Sequence, residues 1–181
     1  PPQDAIAIKI DAGLAFGTGN HETTQGCLQA LERLFAERMP ENPIDIGTGS
    51  GILAIALAKR CLASVTASDI DPIAIDVARE NAVINGVGDR ISFCVTDGVE
   101  SDEIGRLAPY DLIVANIVAN PLIALAGGIA GLLSAEGRVI LSGILNEQAA
   151  DVTAAYTAEG LVSKDRIELR NWTTLTLARP A

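Results

Sequence analysis

The sequence predicts an α/β fold in which helices cover both faces of a largely parallel sheet. Short apolar runs alternate with segments of helical periodicity along most of the 181 residues, and this alternation is typical of a parallel sheet. A glycine-rich turn joins the first of these runs to a helix, as in sheets that bind a ligand beyond the carboxyl ends of their strands. The last two apolar runs are separated only by Arg170 and Asn171, which predicts an antiparallel hairpin at one edge.

Seven segments have the composition of strands. They are residues 43–47, 64–70, 90–95, 110–116, 138–143, 161–169 and 172–178. The segment 110–116, with the sequence YDLIVAN, is the most apolar of them. It therefore predicts a buried central strand.

Four helices are expected before and between the strands. Apolar residues recur at helical spacing over 24–35, 52–60 and 122–133. A further helix starts at Asp71 and Pro72, because Asp caps free N–H groups and Pro suits the first helical position. Asn85 and Gly86 end that helix, since both residues tolerate a left-handed backbone.

Composition and charge exclude several classes of protein. The chain has 13 Lys and Arg against 23 Asp and Glu, a formal net charge of −10, which disfavours direct binding to nucleic acid or to an anionic membrane. No apolar run reaches the roughly 20 residues needed to span a bilayer, and the N-terminus lacks the regions of a signal peptide. We therefore expect one cytoplasmic domain over 40–181, with 1–39 as an N-terminal lid loop and helix packed on it.

The cysteine and histidine content limits the possible chemistry. Cys27, Cys61 and Cys94 are far apart in apolar surroundings, which predicts reduced core cysteines instead of disulfides or a zinc site. His21 is the only histidine, so a histidine-based triad or a multi-histidine metal site is not expected. The sequence thus predicts a site without metal.

The segment 45–52, with the sequence DIGTGSGI, carries the strongest functional signal. Its glycines let the backbone turn tightly and let a ligand approach the main chain. Asp69 lies 22 residues after Gly47, at the end of the next predicted strand, where an acid can accept hydrogen bonds from both hydroxyls of a ribose. A nucleotide-type ligand is therefore predicted, and the alternative is a plain strand–turn–helix corner.

Two cofactor classes suit such a turn. A dinucleotide-binding turn has the pattern G-x-G-x-x-G/A, whereas here the third glycine is Gly51 and the required position holds Ile52. Asp45, two residues before the first glycine, sits badly beside a pyrophosphate but suits a ligand with an ammonium and a sulfonium. The residues favour S-adenosyl-L-methionine, and an NAD(P)-dependent oxidoreductase is the alternative.

Three other polar residues are expected near the turn. Asn116 ends the fourth strand, and its amide can position the methionine part of the cofactor or an acceptor amine, or else cap the following helix. Thr24 lies on the apolar face of the first helix, so its hydroxyl points inward and needs a partner. Asp97, after the third strand, is predicted to reach the adenine amine, with a turn role as the alternative. The loop 11–24 concentrates glycines, hydroxyls and His21, which suggests a ligand lid.

The chain resembles the bacterial methyltransferases of the large-subunit ribosomal stalk protein L11 (PrmA type). The resemblance rests on the runs GLAFGTGNHETT, IDIGTGSGILAIALAK, SDIDPIAI, ARENAVINGV, VANIVANPLIALA and LSGIL. It extends from about residue 11 to the C-terminus. The combination of GLAFGTG, HETT and ANI is more specific than any one glycine motif.

The resemblance implies a seven-stranded, Rossmann-like class I methyltransferase fold that uses S-adenosyl-L-methionine. It implies methylation of lysine side chains and of the N-terminal amine of a basic ribosomal protein at the stalk base. The cofactor site it implies contains Thr24, Gly47, Asp69 and Asn116, with Phe16, Thr18, Gly49 and Ile70 as near neighbours. Family members carry a separate N-terminal domain that recognises the substrate, and we expect this chain to lack it.

The expected reaction is in-line methyl transfer to a neutral amine, in which the enzyme mainly positions its reactants. Asn116 is the predicted catalytic residue, through a hydrogen bond to the acceptor or to the methionine end of the cofactor. No general base is evident, and His21 is expected to have a positioning role. A methyltransferase for another protein, a small molecule or RNA, and an inactive nucleotide-binding module, remain alternatives.

Overall fold

A computed structural model describes residues 6–11 and 21–180. The strands are β1 (Pro43–Ile46), β2 (Val65–Asp69), β3 (Ile91–Val95), β4 (Tyr110–Asn116), β5 (Leu133–Leu145), β6 (Val162–Leu169) and β7 (Trp172–Ala178). They form a seven-stranded sheet in the order β3-β2-β1-β4-β5-β7-β6, in which β7 runs antiparallel to both of its neighbours. The predicted parallel sheet with an antiparallel edge hairpin is therefore confirmed.

Helices cover both faces of this sheet. They are α1 (Glu22–Glu37), α2 (Ile52–Arg60), α3 (Pro72–Ile84), α4 (Asp102–Leu107), α5 (Ala119–Ala124), α6 (Ala126–Leu132) and α7 (Ala149–Ala158). One buried cluster joins α5, α6 and α7 to one face, through residues such as Leu122, Ile129 and Tyr156. The other joins α1 and α2 to the opposite face, through residues such as Leu31 and Ile55.

The boundaries of α3 follow the local sequence. Asp71 is the N-cap, and its Oδ1 accepts a hydrogen bond from the Ile73 N–H at 2.9 Å. Pro72 occupies the first helical position. Asn85 is the C-cap, and Gly86 follows with φ 71°. The predicted start and end of this helix are both confirmed.

The prediction of one helix over 122–133 is wrong. Two short helices meet there at Leu125, which is the C-cap of α5 and the N-cap of α6. Leu133 is not helical, because it opens β5 and pairs with Tyr110 on β4. The fifth strand thus begins five residues earlier than predicted, and the demands of the sheet override the helical periodicity of this segment.

The helices α4 and α7 were not predicted. The α4 helix has only six residues, and Ser101 caps it by accepting from the Ile104 N–H at 3.1 Å. The α7 helix, AADVTAAYTA, is rich in alanine and has little contrast between its faces. Its place is fixed by Tyr156, a buried residue whose hydroxyl donates to the Leu122 carbonyl at 3.0 Å.

Within residues 6–11 and 21–180, no helix has the length and apolar character required to cross a membrane.

Candidate active site

A cleft of about 600 Å³ lies at the carboxyl ends of the parallel strands. It is lined by His21, Thr23, Thr24, Ile46, Gly47, Thr48, Gly49, Ser50, Ile52, Leu53, Ser68, Asp69, Ile70, Thr96, Asp97, Gly98, Asn116, Ile117, Val118, Pro121, Ala124, Leu125, Gly143 and Trp172. Its size is within the range of small-molecule and cofactor sites. Its position is the one at which parallel sheets bind ligands.

The structure brings together all the predicted site residues that it describes. The cleft lining includes Thr24, Gly47, Gly49, Asp69, Ile70, Asp97 and Asn116. Phe16 and Thr18 lie outside the described residues. The lining residues come from segments as far apart in the chain as His21 and Trp172, and only the fold makes them neighbours.

The turn between β1 and α2 is built from glycines with left-handed backbones. Gly47 has φ 70°, and Gly51, the N-cap residue of α2, has φ 84°. A Cβ at Gly47 would collide with Ile117 Cγ2, and one at Gly51 would lie 3.0 Å from Ala78 Cβ. Both positions therefore require glycine, for backbone conformation and for space.

Asp69 ties this turn to the end of β2. The Gly49 N–H donates to Asp69 Oδ2 at 2.9 Å, and the Asp71 N–H donates to Oδ1 at 3.0 Å. An ionised carboxylate has about four acceptor sites, so these two contacts leave capacity on both oxygens. Because Asp69 is half-buried and lines the cleft, that capacity is available to ligand hydroxyls.

Asn116 ends β4 beside the glycine turn. Ala115 pairs with Ile46 on β1, so Asn116 and Gly47 are the residues that follow at the ends of two adjacent strands. The N-cap of α5 is Val118, without a side-chain cap. The alternative that Asn116 caps that helix is therefore wrong, and Asn116 lines the cleft.

The start of α1 forms another wall of the cleft. His21 is the N-cap of this helix, and its Nδ1 accepts from the Thr23 N–H at 3.3 Å and lies 2.9 Å from Thr23 Oγ1. The imidazole meets Trp172 edge-on, with the ring centroids 5.1 Å apart. Thr24 is only 1% exposed, as its place on the apolar face predicted.

Trp172 is an aromatic lining residue that sequence reasoning missed. It opens β7 and pairs with Leu145 at the end of β5. Because β7 is antiparallel, the beginning of this strand reaches the same sheet edge as the carboxyl ends of the parallel strands. The only tryptophan of the chain, placed at the start of the predicted hairpin's second strand, was the available signal.

Ile70 and Asp97 lie on the more open part of the cleft. Ile70 is 63% exposed directly after Asp69, so its side chain offers apolar surface to a ligand. Asp97 is exposed in the loop after β3. The neighbouring Thr96 N–H donates to the Asp69 carbonyl at 2.9 Å, which holds this loop against the end of β2.

Asp45 does not line the cleft, contrary to the expected location beside a ligand ammonium. Its Oδ2 accepts from Thr48 Oγ1 at 2.7 Å and from the Ala54 N–H at 3.1 Å, so it joins the glycine turn to α2. Its Oδ1 is buried and has no hydrogen-bond partner within the described residues. Burial raises the pKa of this carboxyl to about 6, although both hydrogen bonds oppose the shift.

The cysteines and acidic residues do not form a metal site in the described part of the chain. Cys27, Cys61 and Cys94 are free and buried, as predicted. Burial raises the pKa of the Cys27 thiol to about 12 and that of Cys61 to about 11. Thiols held protonated in this way are poor nucleophiles and poor metal ligands.

Comparison with known proteins shows that the chain is similar to members of one family. Residues 1–180 match the sequence profile of the ribosomal protein L11 methyltransferase (PrmA) family. A ribosomal protein L11 methyltransferase of Brucella suis is 48% identical over 172 residues, which cover 95% of this chain and 60% of that protein. The chain thus spans about three-fifths of the length of the curated relatives that it matches.

Solved structures resemble the fold as well. The crystal structure of a ribosomal protein L11 methylase from Lactobacillus delbrueckii subsp. bulgaricus has a TM-score of 0.87 and 36% identity, covering 96% of this chain and 86% of that one. The N-methyltransferase NodS from Bradyrhizobium japonicum, solved in complex with S-adenosyl-L-homocysteine, has a TM-score of 0.70 and 18% identity, covering 90% of each chain. The second likeness establishes the fold alone.

Proposed function

Because the chain belongs to the ribosomal protein L11 methyltransferase family, we propose that it transfers methyl groups from S-adenosyl-L-methionine to amino groups of ribosomal protein L11. The acceptors are lysine side chains and the N-terminal amine, as the sequence resemblance implies. The relatives' names specify ribosomal protein L11, and they do not describe it as a stalk protein. The proposed location is the cytoplasm.

The glycine turn bonded to Asp69 is the observation that carries this proposal. The backbone N–H groups of Gly47, Thr48 and Gly49 donate to acceptors within the protein. The Asp69 carboxylate is therefore the polar group at this turn that selects a ligand. A carboxylate there suits ribose hydroxyls. Ile52 stands where a dinucleotide-binding turn has its third glycine or an alanine. S-adenosyl-L-methionine, which contains a ribose but no pyrophosphate, therefore fits this turn better than a dinucleotide does.

The predicted site residues that line the cleft have proposed roles toward the cofactor. Asp69 accepts hydrogen bonds from the ribose hydroxyls, and Ile70 packs against the adenine. Asp97 accepts from the adenine amine, while Thr24 and the Gly47–Gly49 backbone face the methionine end. When bound, S-adenosyl-L-methionine supplies a methyl group on a sulfonium, whose sulfur leaves as a neutral thioether.

The residues around Asn116 prepare the acceptor amine. A lysine amine has a pKa near 10.4 in water, and it attacks only when it is neutral. The apolar side chains of Ile117, Val118 and Pro121 follow Asn116 in the cleft lining, so they desolvate the amine and lower its pKa. The Asn116 amide oxygen then orients the remaining N–H bonds.

His21 serves as a positioning residue in this proposal. Its Nδ1 is engaged with Thr23 at the start of α1, so that nitrogen is not free to remove a proton from the acceptor. The imidazole instead holds Trp172 against the helix. Trp172 lines the cleft beside this imidazole.

Calorimetric titration with S-adenosyl-L-homocysteine is the first test of the cofactor proposal. We expect a dissociation constant in the micromolar range, corresponding to about −7 to −8 kcal/mol. NADH serves as the control ligand, and it should not bind. Binding of NADH without binding of S-adenosyl-L-homocysteine would favour an oxidoreductase and overturn the proposal.

The substrate proposal needs a separate assay. Purified L11 is incubated with the chain and radiolabelled S-adenosyl-L-methionine, and methylated residues are located by mass spectrometry. Labelling of lysines and the N-terminal amine is expected. A full-length relative, assayed under the same conditions, is the positive control. Cofactor binding by this chain with no labelling of L11, while the relative does label it, would refute L11 as the substrate of this chain.

A further inference from the structure

Asn81 on α3 and Asn85, the C-cap of that helix, hold the N-terminal segment 6–11 against the domain. The Asn85 Oδ1 accepts from the Lys9 N–H at 3.0 Å, and its Nδ2 donates to the Lys9 carbonyl at 2.7 Å. The Asn81 Oδ1 accepts from the Asp11 N–H at 2.9 Å, and its Nδ2 donates to the Asp11 carbonyl at 3.3 Å. Each side-chain amide thus bonds one residue of the segment as a neighbouring β-strand would.

The pairing of the two asparagines with Lys9 and Asp11 depends on the spacing of residues along a helix and along an extended chain. Residues four apart on a helix are separated by about 6 Å along its axis, and residues two apart on an extended chain by about 6.6–6.8 Å. Asn81 and Asn85 therefore align with Asp11 and Lys9. The side chains of Ile8 and Ile10 pack against the buried cluster of α1 and α2, so the segment has both polar and apolar anchors.

Asn81 makes one contact that Asn85 does not. Its Nδ2 also donates to the Ser50 carbonyl at 2.9 Å, and Ser50 is part of the glycine turn that lines the cleft. Asn81 is completely buried, and its amide uses both N–H groups and the oxygen in these bonds. The equivalent third bond of Asn85 goes to the Asn81 carbonyl at 2.8 Å, within its own helix.

We propose that Asn81 is a positioning residue for the cofactor, which fixes the glycine turn by its bond to the Ser50 carbonyl. The segment 6–11 holds the Asn81 amide in the required orientation through Asp11. The bond to Ser50 restricts the turn to the conformation in which the Gly49 N–H meets Asp69. This inference rests on the proposed function, because its effect is expressed in affinity for an S-adenosyl ligand.

Asn81→Leu and Asn85→Leu form a matched pair for the test. Each substitution preserves side-chain size, and each removes three hydrogen bonds, two of them to the N-terminal segment. We expect Asn81→Leu to weaken binding of S-adenosyl-L-homocysteine about tenfold, which is the size expected for loss of one ordered hydrogen bond. We expect Asn85→Leu to change the affinity less than about twofold. Calorimetry is performed below the melting temperature of both variants.

The outcomes separate this inference from the proposed function. If both variants have equal affinities for S-adenosyl-L-homocysteine, whether unchanged or equally weakened, the proposed role of Asn81 is wrong. Binding by the wild-type chain would still support the proposed cofactor. Failure of the wild-type chain to bind overturns the proposed function and this inference with it. If Asn81→Leu does not fold, Asn81→Ser removes the same amide with a smaller loss of polarity, and the same comparison applies.

Discussion

Asp45 and Asp69 are carboxylates near the ends of adjacent strands, but they differ in burial and in hydrogen bonding. Asp69 is half-buried, and backbone N–H groups donate to both of its oxygens. Asp45 is 1% exposed and keeps an oxygen without a partner in the described residues. The first is available to a ligand, and the second strengthens the turn at a cost in solvation free energy.

Loss of the Asp69 carboxylate is expected to weaken cofactor binding. Asp69→Ala should cost about 1–3 kcal/mol of binding free energy for S-adenosyl-L-homocysteine, because charge-assisted hydrogen bonds are lost. Asp76→Ala, on the exposed side of α3, removes the same charge and is the control. Calorimetry on both variants checks this, and equal affinities would show that Asp69 does not contact the ligand.

Ionisation of Asp45 should make stability depend on pH. Burial raises the pKa of Asp45 from 3.8 to about 6, so the folded protein binds this proton more tightly than the unfolded chain does. The resulting stabilisation is fully present below about pH 4 and is lost as the pH rises through about 6. Its upper limit is about 3 kcal/mol.

Asp45→Asn is the variant that isolates this effect. The free energy of unfolding, measured by urea denaturation, should fall less between pH 4 and pH 7 in the variant than in the wild-type protein. All other titrating groups are shared, so they cancel in the comparison. Parallel pH curves for the two proteins would mean that Asp45 titrates normally in the folded state.

At the scale of elements, the β1–α2 turn links all parts of the proposed cofactor site. The Gly49 N–H of the turn donates to Asp69 on β2, and Gly47 packs under Ile117 after β4. The Asn81 amide reaches it from α3. A change in the turn is therefore expected to affect both the stability of the domain and its affinity for a ligand.

Gly47→Ala and Gly86→Ala separate these two effects. The two glycines have φ of 70° and 71°, but a Cβ at Gly86 meets nothing within 4 Å, whereas one at Gly47 meets Ile117. Each substitution should cost about 1–2 kcal/mol of stability from the left-handed backbone, and Gly47→Ala more because of the collision. Only Gly47→Ala should also weaken S-adenosyl-L-homocysteine binding, by about tenfold or more; wild-type affinity would place the ligand elsewhere.

At the scale of the whole molecule, the net charge of −10 bears on the proposed partner. A chain with this excess of carboxylates attracts a basic ribosomal protein over distances up to about the Debye length, roughly 8–10 Å at moderate salt. This long-range attraction raises the association rate more than it strengthens the bound complex. The acidic surface is thus expected to act on the encounter with the proposed substrate, and the cleft on the proposed methyl transfer.

Salt should therefore lower kcat/KM for L11 more than it lowers the affinity for the cofactor. We expect kcat/KM for L11 to fall several-fold as the salt concentration rises from about 0.05 to 0.5 M, because screening removes the attraction. The affinity for S-adenosyl-L-homocysteine, measured at the same salt concentrations, is the control and should change little. A methylation rate that is independent of salt would show that charge does not guide this substrate.

Local signals in the chain are enough to predict the fold class, the glycine turn and the position of Asp69, since each depends on residues within about 25 positions of one another. Alternating apolar runs, the Asp71–Pro72 helix start and the Gly47–Gly51 spacing are local features, and local backbone preferences suffice to read them. The family resemblance added site residues that the structure then collected in one cleft, except for Phe16 and Thr18, which are outside its described part.

Several features depend on packing between segments that are far apart in the chain, and they are visible only in the folded structure. Leu133 leaves the helical pattern because it pairs with Tyr110, and Trp172 reaches the cleft because β7 is antiparallel. Asp45 turned away from the cleft to bond Thr48 and Ala54, and Asn81 met Ser50 and Asp11. Hydrogen-bond partners far apart in sequence are selected by the assembled sheet, so no local pattern in the chain could specify them.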